Sequence, residues 1–147
     1  MQYESIAAVD LGSNSFRLEV GRVVEDQIYT LDSLKDPVRL ASGLQADKSL
    51  DEASQERGLI ALSRFGERLR GLPQDAVRAV ATNALRVAKN AHSFLARAEE
   101  ALGFPIEIIA GREEARLIYI GAVHSLPASD QQRLVFDIGG GSTEFII

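Results

Sequence analysis

Residues 8–20 read AVDLGSNSFRLEV and residues 136–147 read FDIGGGSTEFII, and the two stretches share one pattern. Aligning Asp10 with Asp137 sets Gly12 on Gly139 and Ser15 on Ser142. In each copy an apolar strand closes on Asp, a turn rich in Gly and Ser follows, and a second strand leaves; Phe16, Leu18 and Val20 alternate with Arg17 and Glu19 in the first. Such a turn suits an anion. Glycine permits a tight or left-handed backbone with no Cβ in the way, backbone N–H groups can then approach a phosphate, and Ser adds a short hydroxyl donor. The Asp ending each strand repels phosphate itself but can hold Mg²⁺ or its waters, and that ion bridges carboxylates and phosphate oxygens. One loop of this kind is ordinary turn chemistry. Two of them describe a cleft in which phosphates sit between facing loops.

Working outward, Ile28 to Leu34 and Val38 to Ala41 read as further extended pieces, so antiparallel strands open the fold. Ser49 and Glu52 have the spacing of a capping box, and Leu59, Leu62, Phe65 and Leu69 then recur at helical spacing up to Gly71 and Pro73. VRAVAT (77–82) reads as a buried strand entering a turn at NALR, and Phe94, Leu95, Ala98 and Leu102 mark a second helix stopped by Gly103. PIEII (105–109) is the next strand, a helix follows from Gly111 to about Val123, PASDQQ (127–132) has linker composition, and RLVFD (133–137) starts a new strand. The order βββαβαβα predicts an α/β fold, a mixed sheet with helices packed on it and the later strands parallel.

The chain has 147 residues, enough for one ordinary core, and no apolar run approaches the roughly 20 residues of a membrane span. It has no cysteines and no leader pattern, and a cytoplasmic protein with no membrane partner is expected. A net charge of −5 argues against a nucleic-acid surface, because non-specific binding rests on neutralising several phosphates with Lys and Arg. An anionic ligand therefore has to be drawn in locally. His92 and His124 stand alone, and Tyr29 and Tyr119 suit packing.

The hairpin pair resembles the superfamily of actin, chaperone ATPases and sugar kinases, built from two ribonuclease-H-like domains. More closely, AAVDLGSNSFRLEV, VRLASGL, AVATNALRVAKNAHSFL, IIAGREEARLIY and FDIGGGSTEFII together resemble the exopolyphosphatase and guanosine pentaphosphate phosphohydrolase family. That resemblance implies metal-assisted hydrolysis of a terminal phosphoanhydride, with Mg²⁺ or another divalent cation, on inorganic polyphosphate or guanosine pentaphosphate. It implies that Glu114 of GREEARLIY is the base, with Glu113 the reserve, and that Asp137, Glu144 and the symmetry partner Asp10 hold the metal or its waters. Phosphate contacts are expected from Gly12, Ser13, Asn14 and Ser15, from Gly139, Gly140, Gly141 and Ser142, and from Arg86, whose fork suits oxyanions. Arg17 occupies the repeat position of Glu144 and can face the same cleft with opposite sign. Strand alternation predicts that Glu144 faces the cleft and Phe145 the core.

The apolar strand TEFII reaches Ile147 with no turn or polar ending, and a repeat of the first hairpin implies a second domain. The expectation is a fragment: residues 1–130 form the first ribonuclease-H-like domain and 131–147 the opening hairpin of the second, in a parent that is a homodimer. Negligible hydrolysis is expected from half a cleft. A non-hydrolysing sensor of polyphosphate or alarmone, and a superfamily kinase or ATPase, are the competing readings.

Overall fold

The computed structural model describes residues 3–25 and 27–147. Strands β1 (Ser5–Leu11), β2 (Phe16–Val24) and β3 (Gln27–Asp36) form an antiparallel meander, followed by helix α1 (Glu52–Leu69). Strand β4 (Val77–Ala81), the short α2 (Asn83–Val87), α3 (Ala91–Leu102), β5 (Ile106–Ile108) and α4 (Gly111–His124) come next. The sheet order is β3-β2-β1-β4-β5, with β4 parallel to β1 and β5 parallel to β4. Strands β6 (Val135–Ile138) and β7 (Thr143–Ile146) pair antiparallel as a separate two-stranded sheet. No helix among the described residues is long and apolar enough to cross a membrane.

Period-2 alternation decides which face of the large sheet is covered. Val9 and Leu11 of β1 and Phe16 and Leu18 of β2 are buried, while Asp10, Arg17 and Glu19 on the opposite face are exposed. The buried face meets Leu62, Phe65 and Leu69 of α1 and Phe94, Ala98 and Leu102 of α3 in one core cluster. Gly58 of α1 leaves room for two rings of that core: a Cβ there would lie 3.1 Å from Phe94 Cζ and 3.4 Å from Phe16 Cε2.

Three local expectations are corrected. Val38 to Ala41 is not extended: Arg39 takes a left-handed conformation (φ 53°) and Leu40–Gly43 is a 3₁₀ turn. The reason is tertiary, because the Arg39 and Ala41 N–H groups donate to the carbonyls of Asn14 (2.7 Å) and Ser13 (2.9 Å). Those bonds pin the first Gly/Ser loop from behind and offset the strain at Arg39. The cap of α1 is Asp51, whose carboxylate accepts the Ser54 N–H at 2.7 Å, whereas Ser49 bonds to Asp47 in the preceding turn. Finally, Phe145 does not reach a core. It is 71% exposed and stacks obliquely on Phe136, with ring centroids 6.4 Å apart. The repeat explains the contrast, since its counterpart Leu18 lies under the helical layer and, among the described residues, no such layer covers the face that carries Phe136 and Phe145.

Candidate active site

The loops that close β1, β4 and β5 all lie at the carboxyl ends of these parallel strands, the place where open α/β sheets form ligand crevices. The two similar hairpins fold alike. The Gly12 N–H donates to the Ser15 carbonyl at 3.2 Å and the Gly139 N–H to the Ser142 carbonyl at 2.9 Å. Asp10 pairs across the ladder with Arg17, and Asp137 pairs in the same register with Glu144.

The two turns also face and touch each other. A Cβ at Gly140 would lie 2.8 Å from Asn14 Cβ, and one at Gly141 would lie 2.6 Å from Ser13 Oγ. Close approach, rather than backbone sign, is what requires glycine at these positions. The Asn83 side-chain amide ties the halves together by donating to the Gly141 carbonyl at 3.0 Å. Between the turns opens a cavity of about 520 Å³. The amides of Ser13, Asn14 and Ser15, and of Gly140, Gly141 and Ser142, donate to no protein acceptor among the described residues. A groove walled by free N–H groups and hydroxyls is suited to phosphate oxygens.

Every residue nominated from the sequence lines this cavity except Arg86 and the reserve acid Glu113. The Arg86 Nη1 donates to Glu114 Oε2 at 2.7 Å and to the Ile109 carbonyl at 2.9 Å, so the guanidinium stands behind Glu114 and holds it. Both side chains are well covered, at 22% and 13% exposure, which makes this a firmer pair than the protein's surface ion pairs. Among the described residues only Oε2 has a hydrogen-bond partner, and Glu114 lines the cavity. Glu113, on the same first turn of α4, bonds instead to Arg116 at 2.7 and 2.8 Å and lies outside the cavity lining. That guanidinium holds its carboxyl below the usual range. Lys35 and Thr82 line the cavity and were not singled out from the sequence. For Lys35 the missing information was the register of β3 on β2, which sets it opposite Arg17.

Acidic groups dominate one end. Partial enclosure by protein, then the nearby charge of Glu114, pushes the Asp10 carboxyl up to about 6; Arg17 pulls the other way, and Asp137 adds to the rise. Asp10 still meets solvent in the cavity. Because the folded-state pKa is raised above 3.8, the folded protein holds this proton more tightly than the unfolded chain, and Asp10 lowers stability as pH rises from about 4 through about 6. Asp10→Asn is therefore expected to melt higher than the wild type at pH 7.5 in chelator, with the difference shrinking toward pH 4. Thermal melts across that range check it, and a lower melting point at pH 7.5 would contradict the electrostatic account.

The acids also fit a cation. Asp137 and Glu144 stand directly opposite each other across β6–β7, an arrangement that is unfavourable for like charges unless something neutralises them. No three acidic or imidazole groups among the described residues converge as a closed metal cage. A facing pair of carboxylates is a donor set of the kind Mg²⁺ accepts, with waters and phosphate oxygens completing its shell.

Residues 19–147 match the Ppx/GppA phosphatase family. A solved exopolyphosphatase from Cytophaga hutchinsonii is 33% identical with a TM-score of 0.88, over 97% of this chain and 46% of that one. The PPX-GPPA enzyme of Aquifex aeolicus is 31% identical with a TM-score of 0.84, over 96% of this chain and 47% of that one. The chain thus spans about half the length of these solved structures. The ethanolamine utilization protein EutJ from Carboxydothermus hydrogenoformans, at 11% identity and a TM-score of 0.51, shares the fold.

Proposed function

The chain belongs to the Ppx/GppA phosphatase family, and from that membership we propose that it is the part of a phosphohydrolase that grips a phosphate chain and supplies the base for release of its terminal orthophosphate. The observation that carries this reading is the convergence of two similar Gly/Ser turns and Glu114 on one cavity. Inorganic polyphosphate and guanosine pentaphosphate are the substrates considered. On the same reading residues 1–130 are the first domain, and 131–147 open a second whose core would cover the exposed Phe136, Ile138 and Phe145.

Catalysis here is chiefly positioning and charge. The turn amides and the Ser13 and Ser15 hydroxyls hold phosphate oxygens from one side, and the Gly139–Ser142 turn holds them from the other. Glu114 Oε1 takes the proton of the attacking water, while Arg86 keeps the carboxylate aimed into the cavity. Asp10, Asp137 and Glu144 would hold Mg²⁺ or its waters. When bound, such an ion supplies neutralisation of phosphate charge.

Calorimetric titration of the 147-residue chain with tripolyphosphate tests the grip. Binding is expected to need Mg²⁺ and to be lost in Asp10→Asn, a variant whose expected higher melting point separates loss of the site from loss of the fold. Binding that ignores both Mg²⁺ and the Asp10 substitution would remove the metal assignment.

A further inference from the structure

Two cations in the cavity are unaccounted for by the phosphate-grip reading. Arg64, Arg68, Arg78, Arg86, Arg97 and Arg116 each hold a carboxylate, whereas Arg17 and Lys35 hold none among the described residues. In a chain of net charge −5 with 21 Asp and Glu residues, Arg17 and Lys35 bring two cations into the lining of the same cavity.

The ladder explains how they come together. Asp10 of β1 is paired with Arg17 of β2, and Arg17 is paired with Lys35 of β3. Directly paired residues on neighbouring strands share a face, so Asp10, Arg17 and Lys35 form one row across the sheet, spanning about 10 Å from first strand to third. The next residue, Asp36, points to the other face and there meets Arg64 of α1 at 3.0 Å. Lys35 is thus kept from the acid beside it. The row leads from the acidic end of the cavity to β3, the edge strand of the sheet. The cavity is polarised: carboxylates gather where the turns meet, and cations lead outward along the row.

We propose that Lys35, in register with Arg17, forms a subsite for phosphates beyond the one held by the turns, so that the ligand is an extended phosphate chain lying across β1, β2 and β3 toward the open sheet edge. This rests on the phosphate-grip reading and adds the direction of the chain and the residue that selects for its length. A single phosphate seated in the turns leaves Lys35 without contact. A longer chain neutralises it. The ammonium is a rotatable point charge and recognises successive oxyanions without demanding one geometry, which suits a repetitive polyanion.

The test compares tripolyphosphate with orthophosphate, each titrated with Mg²⁺ into the 147-residue wild type, Lys35→Met, Lys35→Arg and a control, Arg70→Met, whose residue lies outside the cavity at the end of α1. Lys35→Met is expected to weaken tripolyphosphate about tenfold, the scale of one charged hydrogen bond, while orthophosphate affinity is unchanged. Lys35→Arg should retain tripolyphosphate binding, Arg70→Met should match the wild type, and the Lys35→Met defect should shrink at high ionic strength. Wild-type affinity for tripolyphosphate in Lys35→Met, or equal weakening of both ligands, overturns the subsite and leaves the grip standing. A wild-type chain that binds neither ligand overturns both.

Discussion

Glu114→Gln, in a chain extended to the length of its relatives, is expected to lower phosphate release by about 10²–10⁴-fold, the range for loss of a positioned general base, while tripolyphosphate affinity stays close to wild type. The amide has nearly the shape of the carboxylate, and its oxygen can still accept from Arg86, so the pocket wall persists. What disappears is the oxygen that takes the proton. Glu113 is not placed to substitute, since it is bound by Arg116 and lies outside the cavity lining. Single-turnover phosphate release and equilibrium binding, measured on the same preparation, separate the two effects. Turnover within a few-fold of wild type would strip Glu114 of the base role and favour a pre-activated water. Loss of binding instead would make it a structural wall of the site.

The largest expected effect on stability comes from Phe94→Ala. Phe94 is fully buried, and its ring, like that of Phe16, lies against Gly58 of α1, so truncation opens a cavity where helix α3, helix α1 and the sheet converge. A cost of about 3–5 kcal/mol is expected, out of a total of about 5–15 kcal/mol for a domain of this size, with a fall in Tm of about 10 °C. Phe94→Leu should recover most of it. The effect should also reach the ligand site, because Phe16, the first residue after the Gly12–Ser15 turn, belongs to the same core cluster and lies against the same glycine. Urea unfolding and tripolyphosphate titration below the lowered Tm check both halves. A cost under about 1 kcal/mol would mean that the core collapses around the missing ring.

Much of the fold was legible because its signals are local. Apolar runs mark β1 and β4, alternation marks β2, helical spacing marks α1 and α3, and Gly103 in a left-handed conformation ends α3 where its sequence position suggested. The repeated D-[LI]-G-x-x-S pattern was visible without any structure, and it led to the cavity because a turn built to approach a phosphate must carry its own glycines and hydroxyls. The segment 38–41 reads as extended because an extended chain and a left-handed bend have the same apolar content there. Hydrogen bonds to the carbonyls of Ser13 and Asn14, more than twenty positions away, chose between them.

By itself, then, the sequence determined most of the element types, the doubled hairpin, and the acids and glycines of the candidate site, because each of these depends on spacing within a few residues. Tertiary structure alone decided that Glu114 enters the cavity while Glu113 turns to Arg116, that Arg86 stands behind Glu114, and that Lys35 joins Arg17 on the open face. Those outcomes depend on the register between strands and on where one element's end meets another, which no local pattern of residues encodes.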